Sequence, residues 1–160
     1  MEEHRRAHIR RDRNILTIPD RAGEIAGIFL TLLVVSFFVY HQTTNTGFMT
    51  SAFGSIATLL FYGSFALSII TSIARAAIGR RDKARPFEFA SNVFTAIATL
   101  WFLTVFPFNF SHLADPLPSF MRFILSWISN GIGWVIILLS ALASIGVAIS
   151  NAIRMSLDWI

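Results

Sequence analysis

The stretch Trp134–Ile153, WVIILLSALASIGVAISNAI, holds no charged residue. A bilayer core of about 30 Å is crossed by about 20 apolar residues in helical form, and this run has that length. It settles the class of the protein, and three further runs share its character. Ala22–His41 carries one charge, Glu24, in its first turn. Pro86–Phe106 carries only Glu88, again in the first turn. The run from Phe48 to Gly79 is uncharged until Arg75; as one helix it outreaches a bilayer, so it is expected to tilt or to project. Four spans are predicted.

The composition agrees. Of the 160 residues 54% are hydrophobic and 14% charged, with mean hydropathy +0.63. A soluble domain carries about 25% charge, and less leaves too little to coat its surface. A disordered chain, a disulfide-stapled secreted domain and an ordinary cytosolic enzyme are excluded on these grounds. The expectation is an all-α integral membrane protein of four transmembrane helices.

The placement of charge predicts orientation. Of thirteen Lys and Arg, six lie in the first 21 residues, five between Arg75 and Arg85, and one is Arg154. Only Arg122 falls on the other side. The positive-inside rule then puts both termini in the cytoplasm, and a prokaryotic plasma membrane is the expected location. No cleavable signal precedes the first span. The resulting organisation is a basic arm (1–20), a first hairpin (21–79), a basic linker (80–85), a second hairpin (86–154) and a tail (155–160).

The outer connection before the last span is predicted to hold an interfacial helix over about 119–129. Phe120, Phe123, Ile124, Trp127 and Ile128 recur there at helical spacing, Pro118 suits its start, and Gly131 and Gly133 mark a corner. The competing reading is one long helix from Ser119 to Arg154, kinked at the glycines.

An internal repeat links the halves. Arg21, Glu24, Ala26, Thr31 and Phe38 fall on Arg85, Glu88, Ala90, Thr95 and Phe102 at a shift of 64 residues. Ser64, Ser68, Ser72 and Ala76 fall on Ser140, Ser144, Ala148 and Ala152 at a shift of 76. The sequence thus predicts two similar hairpins, the second lengthened by the interfacial helix. The small-residue rows allow close backbone approach and serine hydrogen bonds. They are expected to pack span 2 against span 4, within one chain or between protomers.

Chemistry is sparse. There is no cysteine, hence no thiolate metal site or redox pair, and no P-loop, GxGxxG or HExxH. No cofactor is expected. His41, His112 and Asp115 form the only trio able to converge as metal ligands on the outer face. Ser111, His112 and Asp115 match a triad in composition but not in geometry. Arg21–Glu24 and Arg85–Glu88 read as i,i+3 ion pairs at the inner membrane edge, with Asn92 one turn deeper as a candidate polar lining. No ionisable residue lies in mid-span, which speaks against a proton-coupled pump. Arg5, Arg6, Arg10, Arg11 and Arg13 in the arm suit anionic lipid headgroups. The arm lacks stacking aromatics, so nucleic acid is not expected.

The functional expectation is a non-catalytic structural or accessory subunit that packs against other membrane proteins or itself. A small oligomeric channel or facilitator is the alternative, and an integral-membrane enzyme using the outer His/Asp loop is the third.

Overall fold

The computed structural model describes residues 15–157; the arm arginines Arg5, Arg6, Arg10, Arg11 and Arg13 lie outside them. The chain forms α1 (Ile18–Thr43), α2 (Ser55–Ile78), α3 (Arg81–Val105) and α4 (Asn130–Leu157), with two 3-10 turns, Phe110–His112 and Ser119–Ile124, before α4. All four long helices are long and apolar enough to span a membrane, and among the described residues there is no strand, only two isolated bridges.

Local chemistry sets the helix ends. Thr17 caps α1: its hydroxyl oxygen accepts from the Asp20 amide while the Asp20 carboxylate accepts from the Thr17 amide. This reciprocal box, with Pro19 in the first turn, starts α1 four residues before Ala22. Gly79 ends α2 in the left-handed conformation, φ 66°, and donates its amide to the Arg75 carbonyl. The segment read as a linker over 80–85 is therefore mostly helix, since α3 starts at Arg81. Pro86 is tolerated because a proline six residues into a helix removes one hydrogen bond near its end.

Two expectations about the loops change. Phe48–Gly54 is apolar but not part of α2. The Thr50 amide donates to the Pro107 carbonyl and the Asn109 amide to the Phe48 carbonyl, so this piece pairs with the α3–α4 connection instead. The overlong second span is thus resolved by a loop. The interfacial helix shrinks to the 3-10 turn Ser119–Ile124, and a break before Asn130 separates it from α4, so the single kinked helix is not formed either.

The helices pack as a row in chain order, α1 on α2, α2 on α3 and α3 on α4, with no direct packing between other helix pairs among the described residues. The buried positions of α4 are Ala141, Ser144, Ala148 and Asn151, with Gly133 against the Phe110 ring, and the buried positions of α3 include Ala84, Ser91, Ala96 and Ala98. Small side chains let these backbones approach closely. Among the described residues of the single chain, α2 and α4 do not pack on each other. Ser144 and Ala148 of the predicted row pack on α3 instead, because α3 lies between.

The core gathers at the end where the two long loops lie, hereafter the aromatic end. Phe48, Phe102 and Phe108 are buried there, with Phe37, Phe38, Phe53, Phe61 and Phe110 packed around them. That is half of the chain's sixteen phenylalanines. Ring pairs such as Phe38–Phe61 and Phe48–Phe110 meet edge to face at 5.0 and 5.4 Å, the arrangement favoured by ring quadrupoles. At the opposite, basic end the Leu16 amide donates to the Gly79 carbonyl at 2.9 Å and the Leu16 side chain is buried.

Candidate functional site

A row of helices in which α2 and α4 flank α3 without touching leaves a cleft over α3. It encloses about 660 Å³, room for roughly twenty waters at about 30 Å³ each. Its walls alternate in character along its length. Ser64, Ser68 and Ser72 of α2, Asn92, Thr95 and Thr99 of α3, and Ser140 of α4 supply polar groups, while Phe61, Phe102 and Phe108 close the aromatic end. Every-fourth-residue spacing put the three α2 serines on one face; that face borders the cleft. Ala76 is half-buried and Ala152 exposed, and neither lines it.

Several of these polar groups already have acceptors in their own helix. Ser64 donates to the Leu60 carbonyl, Thr71 to Leu67, Thr99 to Thr95, and the Asn92 amide to Glu88. Such back-bonding satisfies the donor while leaving oxygen lone pairs to face the cleft. The lining is therefore mainly apolar, built from phenylalanine and aliphatic side chains with back-bonded hydroxyls set among them.

The basic end of the cleft is closed by one arginine. Arg75 reaches Glu24 of α1 through Nη1 at 3.1 Å and Glu88 of α3 through Nη2 at 2.6 Å. The three side chains are 29%, 17% and 24% exposed, so the clamp is mostly withdrawn from solvent and its charge-assisted bonds are stronger than surface pairs. The sequence reading gave each carboxylate the arginine three residues before it. The structure instead gives both a shared partner on a third helix, because the interface of α1, α2 and α3 brings the last turn of α2 between them. Arg21 lays its guanidinium over Gly79, where an added Cβ would fall 1.8 Å from Nη2.

Arg75 and Glu88 also border a second, polar cavity of about 370 Å³, with Asp20, Glu24, Arg81, Arg85, Asn151 and Arg154 around it. The clamp is the partition between the two spaces. Next to it, Arg80 is held by Asp82 at 2.8 Å, which raises the guanidinium further above its ordinary range, and Arg81 stands 3.6 Å from Asp20.

The outer trio does not assemble. His41 is 1% exposed and committed to the fold: Nδ1 pairs with the Thr46 hydroxyl, and Nε2 faces the Leu113 carbonyl at 3.3 Å. His112 pairs with Asp115 at 2.8 Å on the surface. Among the described residues no three His, Cys, Asp or Glu side chains group as metal ligands.

Two residues of the site escaped the sequence reading. Arg75 was counted only as a flanking cation, although it lies three residues after Ser72, on the face of the serine row. Asn151 was passed over inside an uncharged span, although the 76-residue shift between the serine rows carries Arg75 onto it. Comparison with protein-family models, curated proteins and solved structures gives no match.

Proposed function

We propose that the protein is a non-catalytic, multi-pass membrane protein that serves as a structural or accessory subunit, with the cleft over α3 as its docking face. One observation carries this reading: the serine row of α2 and Ser140 of α4 stand on opposite sides of a cleft that no helix among the described residues fills. Helices in lipid associate through small residues and hydroxyls rather than through burial of Leu against Leu, and this lining offers both. A helix from a second copy or another membrane subunit is the matching occupant. The cation excess at the basic end supports cytoplasmic termini in a prokaryotic plasma membrane. The matched Arg-x-x-Glu openings, whose glutamates converge on Arg75, support a duplicated hairpin. The arm arginines would bind anionic headgroups.

The chain has no cysteine, so a single introduced thiol reports cleanly. A photocrosslinker on Ser68→Cys is expected to capture a protein chain in native membranes, whereas one on lipid-exposed Leu59→Cys captures lipid. Lipid adducts at both positions overturn the proposal.

A facilitator is the second reading, favoured by the Arg75 clamp across the end of a hydroxyl-lined space. On this reading Arg75→Gln raises solute flux into liposomes holding the purified protein; equal flux with and without the clamp rejects it.

A further inference from the structure

The repeat that links the two hairpins makes a specific demand at the basic end. Glu24 falls on Glu88 at the 64-residue shift, and Arg75 falls on Asn151 at the 76-residue shift. In the first hairpin this pair is a direct bond, from Arg75 Nη1 to Glu24 Oε1 at 3.1 Å. The matching pair of the second hairpin is Asn151 and Glu88. Both border the polar cavity of about 370 Å³, yet the Asn151 amide does not bond Glu88.

Each side of that contact has a group to spare. Asn151 is 6% exposed, and its Nδ2 is buried without a hydrogen-bond partner. Such donors cost stability and are uncommon unless a water or ligand completes them. A half-turn about χ2 exchanges the amide nitrogen and oxygen, so the amino group can face the cavity. On α3, Glu88 meets Arg75 through Oε1 at 2.6 Å, and Oε2 keeps its lone pairs for a second donor. An asparagine is shorter than an arginine, which accounts for the lack of a direct bond. One water spans such a difference, and the cavity is far larger than the roughly 10–15 Å³ that a single water needs.

We infer that the cavity at the basic end binds a water between Asn151 Nδ2 and Glu88 Oε2, as the second hairpin's counterpart of the bond between Arg75 and Glu24. The water accepts from the Asn151 amide and donates to the Glu88 carboxylate, so one molecule satisfies both groups. The clamp, which joins α1, α2 and α3 directly, thereby extends to α4. Asn151 holds Glu88 by the oxygen that Arg75 does not use. The site depends neither on what occupies the cleft over α3 nor on the other arginines around the cavity.

Two measurements on the full-length protein in mild detergent test this. With isotope-labelled asparagine, the Asn151 side-chain amide should give a nuclear Overhauser cross-peak to a long-lived water. An Asn151 amide without that cross-peak overturns the inference. Unfolding equilibria supply the energetic test, because an orphaned amide and a bridged one respond oppositely to Asn151→Leu. Leucine would relieve an orphaned donor and stabilise the fold, whereas it deletes the bond of a bridged one. The expected result is an unfolding constant raised about tenfold, the scale of one hydrogen bond to a charged group. In a Glu88→Ala background the same change should raise it by about twofold or less, since the bridge has already lost its acceptor. A stabilised Asn151→Leu, or equal destabilisation in the two backgrounds, overturns the inference. Should Asn151→Leu fail to fold, the water cross-peak of the unaltered protein still decides.

Discussion

Arg75 serves two carboxylates at once, so the members of the clamp are unequal. Arg75→Met takes from Glu24 and Glu88 the guanidinium that both of them bond. Breaking a fully buried pair costs about 3–5 kcal/mol; with about a quarter of these side chains still exposed, the expected loss is about 2–3 kcal/mol. Glu88→Gln leaves Glu24 on Arg75 and should cost about 1 kcal/mol, the scale of one hydrogen bond. Adding Glu24→Gln and Glu88→Gln to Arg75→Met should recover most of the stability lost in the single variant. Unfolding free energies in detergent check all three, and a full loss from Glu88→Gln alone would show that the clamp is not shared. Glu24 and Glu88 were legible as paired carboxylates at the membrane edge because their positions in the helix are local facts. Their partner was not, because it depends on which face of α2 meets α1 and α3, a register that spacing within one helix does not encode.

Within α4 two glycines make opposite predictions. A Cβ on Gly133 would lie 2.3 Å from the Phe110 ring, which is packed into the aromatic cluster and cannot retreat. Gly133→Ala should therefore destabilise by about 1–3 kcal/mol. Gly146 has no neighbour within 4 Å of a Cβ, and Gly146→Ala should stabilise the helix by roughly 0.5–1 kcal/mol. Thermal unfolding of the two variants should move Tm in opposite directions. The glycine pair Gly131 and Gly133 was read as a corner; Gly133 is instead a close approach, a role only the neighbouring loop reveals. The four long apolar helices were legible because runs such as Trp134–Ile153 carry their own evidence. Their ends were less so. Thr17 and Asp20 spell a capping box that moves the start of α1, whereas the failure of Phe48–Gly54 to join α2 rests on pairing with residues some sixty positions later. Equal spacing of small residues likewise located the cleft-facing stripe but not what it faces.

For the molecule as a whole, the described cations cluster at one end. Arg21 lies in the first turn of α1 against Gly79, Arg75, Arg80, Arg81, Lys83 and Arg85 near the α2–α3 turn and Arg154 in the last turn of α4, with Arg122 alone in the aromatic-end loops. In intact cells Ser111→Cys should react with a membrane-impermeant maleimide and Lys83→Cys only after permeabilisation. The reverse pattern would invert the proposed topology. The row arrangement bears on biogenesis as well. Each helix docks on the one made just before it, so the bundle can be laid down in order of synthesis without waiting for a distant segment. The clamp then forms in two stages: Arg75 can meet Glu24 once α2 is made, and Glu88 joins when α3 arrives. The aromatic plug closes later, when Phe108 emerges to meet Phe48. Until then the half-made protein has an open loop end, with the phenylalanines of α1 and α2 not yet covered by Phe108.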